Sequence, residues 1–130
     1  MHPQAALLVA LGGAAGSVLR WAAVFWIGER WLVTPFPWGT FAVNAAGSFA
    51  IGLLAEWARH GSFGVSPEAR LLLVVGVLGG FTTFSSYSLE TMNLLREGRP
   101  GTAILYAAGS VAVGLAAAFA GLGLAKVLAR

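Results

Sequence analysis

The chain has no cysteine and very little charge: five acidic residues and eight lysines or arginines among 130. The lack of cysteine excludes disulfide scaffolds, thiolate metal centres and cysteine nucleophiles. The two histidines, His2 and His60, stand apart near segment ends and give no ligand cluster. Soluble domains carry about 25% charged residues. A chain that is 10% charged and 58% apolar, with mean hydropathy +0.79, is therefore an integral membrane protein. On a soluble surface its net charge of +3 would raise nucleic acid as a partner. On a membrane protein such charge lies in flanking loops, and no nucleic acid is expected. No embedded acid–base or nucleophile constellation points to an enzyme. The N-terminus does not read as a cleaved signal, because it opens without Lys or Arg and its apolar stretch runs on to Arg20.

What is present is four apolar segments, each near the roughly 20 residues that a spanning helix needs. They run over about 5–27, 37–58, 69–95 and 102–124. Glu29-Arg30 closes the first, Pro37-Trp38 opens the second, and Arg59-His60-Gly61 end it. A short loop from Ser62 to Pro67 leads into the third, with Ser66-Pro67-Glu68 resembling a helix start. A polar turn, Arg96 to Gly101, precedes the fourth. The expected fold is all-α: one four-helix membrane domain over residues 1–130, with both termini on the same side. Arg59, Arg70, Lys126 and Arg130 then face Arg30, Arg96 and Arg99 across the membrane. Lys/Arg asymmetry fixes orientation, and here it is nearly absent. Either a small protein balances its few charges by chance, or copies insert both ways up and pair as an antiparallel homodimer.

Small residues stripe the helices. Gly12, Gly16 and Arg20 share a face, as do Asn44, Ser48 and Gly52, and again Tyr106, Ser110 and Gly114. Such stripes let helix backbones approach closely in lipid. Four short helices enclose little volume, so a pore calls for a dimer.

The third segment carries GVLGGFTTFSSYSLE from Gly76 to Glu90. Hydroxyl-rich, helix-breaking sequence at membrane depth is tolerated only where protein buries it or where it lines a polar cavity. A broken helix there is the best pointer to an ion or substrate site. Unwinding around Gly79 to Thr83 would release the carbonyls of Gly79 and Thr82 as ligands for a small cation. A Gly79→Ala change should disturb this turn if Gly79 takes a positive φ. Beyond the break, Phe84 and Tyr87 share a face. They either pack or turn their positive ring edges toward an anion, with Ser85, Ser86 and Ser88 adding hydroxyls. Asn44 is either interhelical glue or a donor to a permeating anion. Arg20 is either an interfacial anchor or the charge of an electropositive vestibule. Glu90 alone decides nothing: it could pair with an arginine, end a pore or mark the interface.

At Gly79-Gly80-Phe81-Thr82-Thr83-Phe84-Ser85 the chain resembles the Fluc/CrcB fluoride channel family. Gly39-Thr40-Phe41-Ala42-Val43-Asn44-Ala45-Ala46-Gly47-Ser48-Phe49 is similar to its second-helix stretch, and the Gly-rich run from Gly12 to Arg20 to its first helix. The resemblance implies a fluoride-selective channel in a bacterial-type inner or plasma membrane, built as an antiparallel, dual-topology homodimer with two pores. It implies a structural sodium ion at the dimer centre on the backbone carbonyls matching Gly79 and Thr82. It places Asn44, Phe84, Tyr87, Thr83, Tyr106 and Ser110 on the fluoride pathway, with Arg20 and Glu90 toward its vestibule. Tyr87 departs from the phenylalanine of the pattern, and Gly114 stands at a further polar position. Fluoride is small and tightly hydrated, so a selective path must replace its water with hydrogen-bond donors. A small dual-topology multidrug transporter is the alternative. It needs a membrane-embedded carboxylate, and the first segment has no acid before Glu29.

Overall fold

The structure, a computed structural model, describes residues 2–60 and 66–129, the side chains of 58–60 excepted. The loop expected from Ser62 to Pro67 lies largely outside the described residues, as do the side chains of Arg59 and Arg130 in the charge count. Every regular element among the described residues is helical. Helix α1 (Pro3–Val24) starts on a proline, whose missing N–H is not needed in a first turn. It continues as a wider π-type stretch, Phe25–Trp31. Helix α2 covers Trp38–His60.

The third span is composite. A short α3 (Pro67–Arg70) is capped by Ser66, whose side chain accepts from the Ala69 N–H. A second π-type stretch (Leu71–Leu78), α4 (Gly79–Phe81) and α5 (Phe84–Arg96) follow. Gly98, at φ +72, then reverses the chain. The Gly98 N–H donates to the Leu95 carbonyl and the Arg99 N–H to that of Leu94, which satisfies the last carbonyls of α5. Helix α6 (Pro100–Leu128) closes the bundle.

Among the described residues, four stretches are long and apolar enough to cross a membrane: Pro3–Trp31, Trp38–Trp57, Pro67–Arg96 and Pro100–Leu128. The first extends past the expected end near Ile27 because the π-type stretch carries the aromatic end of the helix, Trp26 and Trp31, which pack 6.4 Å apart. Glycines set the packing. A Cβ on Gly12 would strike Leu72 and Gly76, and one on Gly16 would strike Val77 and Phe81, so α1 lies parallel to the third span at backbone contact. A Cβ on Gly52 would strike Ala118, and one on Gly121 would strike Phe49 and Leu53, so α2 lies against α6 in the same way. With lipid as apolar as leucine, such close backbone packing is what holds helices together. Tyr106, Leu94 and Ala103 form the buried centre of the α5–α6 half, with Phe36, Phe41 and Tyr87 packed around it.

Candidate functional site

At the centre of the third span, two residues leave the helical region. Thr82 has φ −81 and ψ 155, and Thr83 has φ −152 and ψ 118. The first half ends with the Thr82 N–H and hydroxyl both donating to the Leu78 carbonyl, at 3.0 and 2.9 Å. The second half restarts on Thr83 as N-cap: its Oγ1 accepts from the Ser86 N–H at 3.1 Å. The Thr83 hydroxyl also reaches Ser86 Oγ (3.1 Å) and Ser85 Oγ (3.2 Å). The N–H of Thr83 would continue the helix onto the Gly79 carbonyl. It donates instead to Asn44 Oδ1 at 2.9 Å. Asn44 Nδ2 in turn donates to the Thr83 carbonyl at 3.1 Å. One amide from α2 thus takes over both backbone groups of a residue that two helices have given up.

Gly79 itself is helical, at φ −63 and ψ −36. The condition attached to its substitution, a positive φ, is not met: a methyl on Gly79 would meet only the Val74 carbonyl, at 4.0 Å. The neighbouring Gly80 is the constrained one, since a Cβ there would strike the Gly13 backbone. Arg20, half-buried, turns its Nη1 to within 3.5 Å of the Thr82 carbonyl. At the outer limit of a hydrogen bond, this contact places a positive charge beside the extended pair.

Asn44, Ser48, Gly79, Thr82, Thr83, Phe84, Tyr87 and Ser110 line one open cavity of about 440 Å³. Phe84 stands at its rim, 78% exposed, with its ring 5.3 Å from that of Tyr87. Tyr87 is tied down: its hydroxyl donates to the Ala107 carbonyl at 3.2 Å, and its ring lies 5.5 Å from Tyr106. From there the aromatic row continues to Phe36, 5.4 Å from Tyr106. Ser110 Oγ is shielded from solvent and has no hydrogen-bond partner.

Tyr106 and Glu90 meet beside this row. The Tyr106 hydroxyl donates to Glu90 Oε2 at 2.5 Å, and Thr40 Oγ1 donates to Oε1 at 2.7 Å. Both are short for O–H···O hydrogen bonds. Glu90 is therefore held by two hydroxyls, one on α2 and one on α6.

Sequence reasoning left unassigned Thr40 of this neighbourhood and Glu56 further along α2. Thr40 is fully buried, and its spacing four residues before Asn44 on the same helix face was the available signal. Glu56 is a buried carboxylate near the end of α2, 2% exposed; it falls on the stripe of Gly52 one turn later.

Residues 7–122 match the family described as CrcB-like protein, Camphor Resistance (CrcB). The chain belongs to the CrcB family. A relative from Rhizobium meliloti named Fluoride-specific ion channel FluC is 48% identical over 94% of this chain and 96% of its own length. Relatives of the same name from Thermus thermophilus and Hyphomonas neptunium are 54% and 53% identical, over 94% and 92% of this chain and 94% of each of theirs. Like the four spans, this family membership makes the chain a multi-pass protein of the cell membrane. The CrcB chain's extended pair, its clamp and its aromatic row all fall within the matched residues.

Proposed function

We propose that this CrcB-family chain is a fluoride-selective channel that lets fluoride leave the cell passively and so relieves its toxicity. The observation that carries the reading is the Asn44 clamp on Thr83, which holds an extended turn open at mid-span beside a cavity whose lining includes the hydroxyl residues Ser48, Thr82, Thr83 and Ser110 and the rings of Phe84 and Tyr87. The α5 helix restarts there, so the positive end of its dipole and the first-turn N–H groups of Phe84 and Ser85 sit at the same depth. An anion stripped of water meets donors and aromatic rings at Asn44, Thr83, Ser110, Phe84 and Tyr87, with Tyr106 and Glu90 further along and Arg20 beside the extended pair. The names of the relatives, all fluoride channels, select fluoride among small anions.

The working unit is an antiparallel homodimer with dual topology. A 440 Å³ open cavity is far too wide to strip water from one small ion, and Phe84 at its rim is largely uncovered in the single chain. A second copy against this face supplies the missing wall. A structural sodium ion at the dimer centre fits the donors at hand. The Gly79 carbonyl has lost its helical partner to Asn44, and the Thr82 carbonyl follows it on the extended pair. Neutral carbonyl oxygens suit a hard cation. Arg20, 3.5 Å from the Thr82 oxygen, favours an ion of single charge. When bound, such a cation raises the local potential for an anion.

The test is efflux from liposomes loaded with fluoride or chloride, with an ionophore relieving the electrical potential. Fluoride-loaded vesicles should empty and chloride-loaded ones should not. Release that needs a proton gradient at clamped potential would make the protein a transporter.

A further inference from the structure

Along α6, Tyr106, Ser110 and Gly114 share one face, one helical turn apart, and Ser110 lines the cavity. The Tyr106 hydroxyl is committed to Glu90. Ser110 Oγ has no partner in the protein, and a hydroxyl left unbonded in an apolar setting costs several kcal/mol. Its position on the cavity wall is that of a donor kept free for something that passes. One turn further on, α6 has no side chain to offer: Gly114 leaves a gap.

Ser48 of α2 fronts that gap. A Cβ built on Gly114 would lie 3.4 Å from Ser48 Oγ, and Ser48 lines the same cavity as Ser110. The two helices run parallel here, so Ser48 and Gly114 are level. One turn beyond, the seam closes, because a Cβ on Gly52 would strike the Ala118 backbone. Between Ser110 and that closed seam, the gap at Gly114 has one hydroxyl within van der Waals distance, and it comes from the other helix.

We propose that Ser48 is an anion-ligating residue of the pathway, its hydroxyl filling from α2 the step that α6 leaves empty at Gly114. This rests on the fluoride reading above. A strongly hydrated anion needs a replacement donor at each step, so the hydroxyl chain crosses from Ser110 on α6 to Ser48 on α2.

The experiment measures initial fluoride efflux per dimer from proteoliposomes, with elution profiles to confirm assembly. Ser48→Ala should slow efflux roughly 10- to 150-fold, the scale of one hydrogen bond to a charged group. The double variant Ser48→Ala/Gly114→Ser should recover most of the parent rate, because it returns a hydroxyl to the same gap from the α6 side, where removing Ser48 Oγ has made room. A packing role for Ser48 would not be restored by a hydroxyl on the other helix. Ser48→Ala at the parent rate, or a double variant as slow as Ser48→Ala, overturns the proposal. Should Ser48→Ala fail to assemble, Ser48→Cys decides: it keeps a side chain of similar size but replaces the hydroxyl with a weak S–H donor, so efflux falls if that hydroxyl is used, and parent-rate efflux overturns the proposal. A parent that passes no fluoride overturns the reading beneath it as well. A parent that conducts beside an unaffected Ser48→Ala overturns this proposal alone.

Discussion

Replacing Asn44 by alanine removes both hydrogen bonds that hold Thr83 outside the helix, 2.9 Å to its N–H and 3.1 Å from its carbonyl. Each such bond contributes about 0.5–1.5 kcal/mol net, and each buried backbone group left unmade costs about 1–3 kcal/mol. Thr83 is 7% exposed, so water offers it little relief. The extended turn should therefore lose about 2–5 kcal/mol, roughly a 30-fold to several-thousand-fold shift in its population. The nearest substitute for the Thr83 N–H is the Gly79 carbonyl, one helical step back. The variant should accordingly anneal the third span toward continuous helix. Asn44→Asp keeps an acceptor for the Thr83 N–H but sets a carboxylate oxygen against the Thr83 carbonyl and a negative charge on an anion path. It should be more damaging than Asn44→Ser, which retains a donor. The assay pairs fluoride efflux with hydrogen exchange at the Thr83 amide in the assembled protein. Loss of efflux with altered exchange at Thr83 is expected for Asn44→Ala. Parent-like efflux and unchanged exchange in both Asn44→Ala and Asn44→Asp would refute the clamp.

Other outcomes follow from the same geometry. Phe84→Ile keeps apolar bulk at the cavity rim but removes the ring edge, so efflux should be suppressed while the elution profile stays that of the parent. Tyr87→Phe loses only the 3.2 Å bond to the Ala107 carbonyl, about 0.5–1.5 kcal/mol, and near-parent efflux is expected. Gly16→Ala should destabilise the bundle by about 1–3 kcal/mol through overpacking, since its Cβ would lie 2.9 Å from the Phe81 nitrogen. Gly13→Ala, whose Cβ meets nothing within 4 Å, should not lower thermal stability, since alanine favours the helix over glycine, and serves as the control. Exchanging sodium for a large organic cation should promote dimer dissociation, read by size-exclusion chromatography; indifference to the exchange would remove the central cation.

Much of the architecture could be read from the amino-acid pattern, because lipid imposes simple demands. The four apolar runs give the four spans, and the stripes Asn44/Ser48/Gly52 and Tyr106/Ser110/Gly114 do lie on facing helices, as the Ser48–Gly114 approach shows. Less visible was what each polar group does with its hydrogen bonds. The two alternatives for Asn44 differ in whether its amide is already occupied, and the residue that occupies it lies 39 positions away. Arg20 and Thr82 are 62 apart, beyond any local periodicity. Glycine is ambiguous in the same way. It serves a positive φ at Gly98 and a backbone contact at Gly12, Gly16 and Gly80, while Gly79 is an ordinary helical residue in the single chain. Composition cannot separate these uses; only the neighbour across the interface does.

The most direct test of the central claim is fluoride selectivity in a defined membrane. Purified protein reconstituted into liposomes, with an ionophore collapsing the electrical potential, should release internal fluoride and retain internal chloride. Vesicles that hold both ions, or lose both at similar rates, would contradict it.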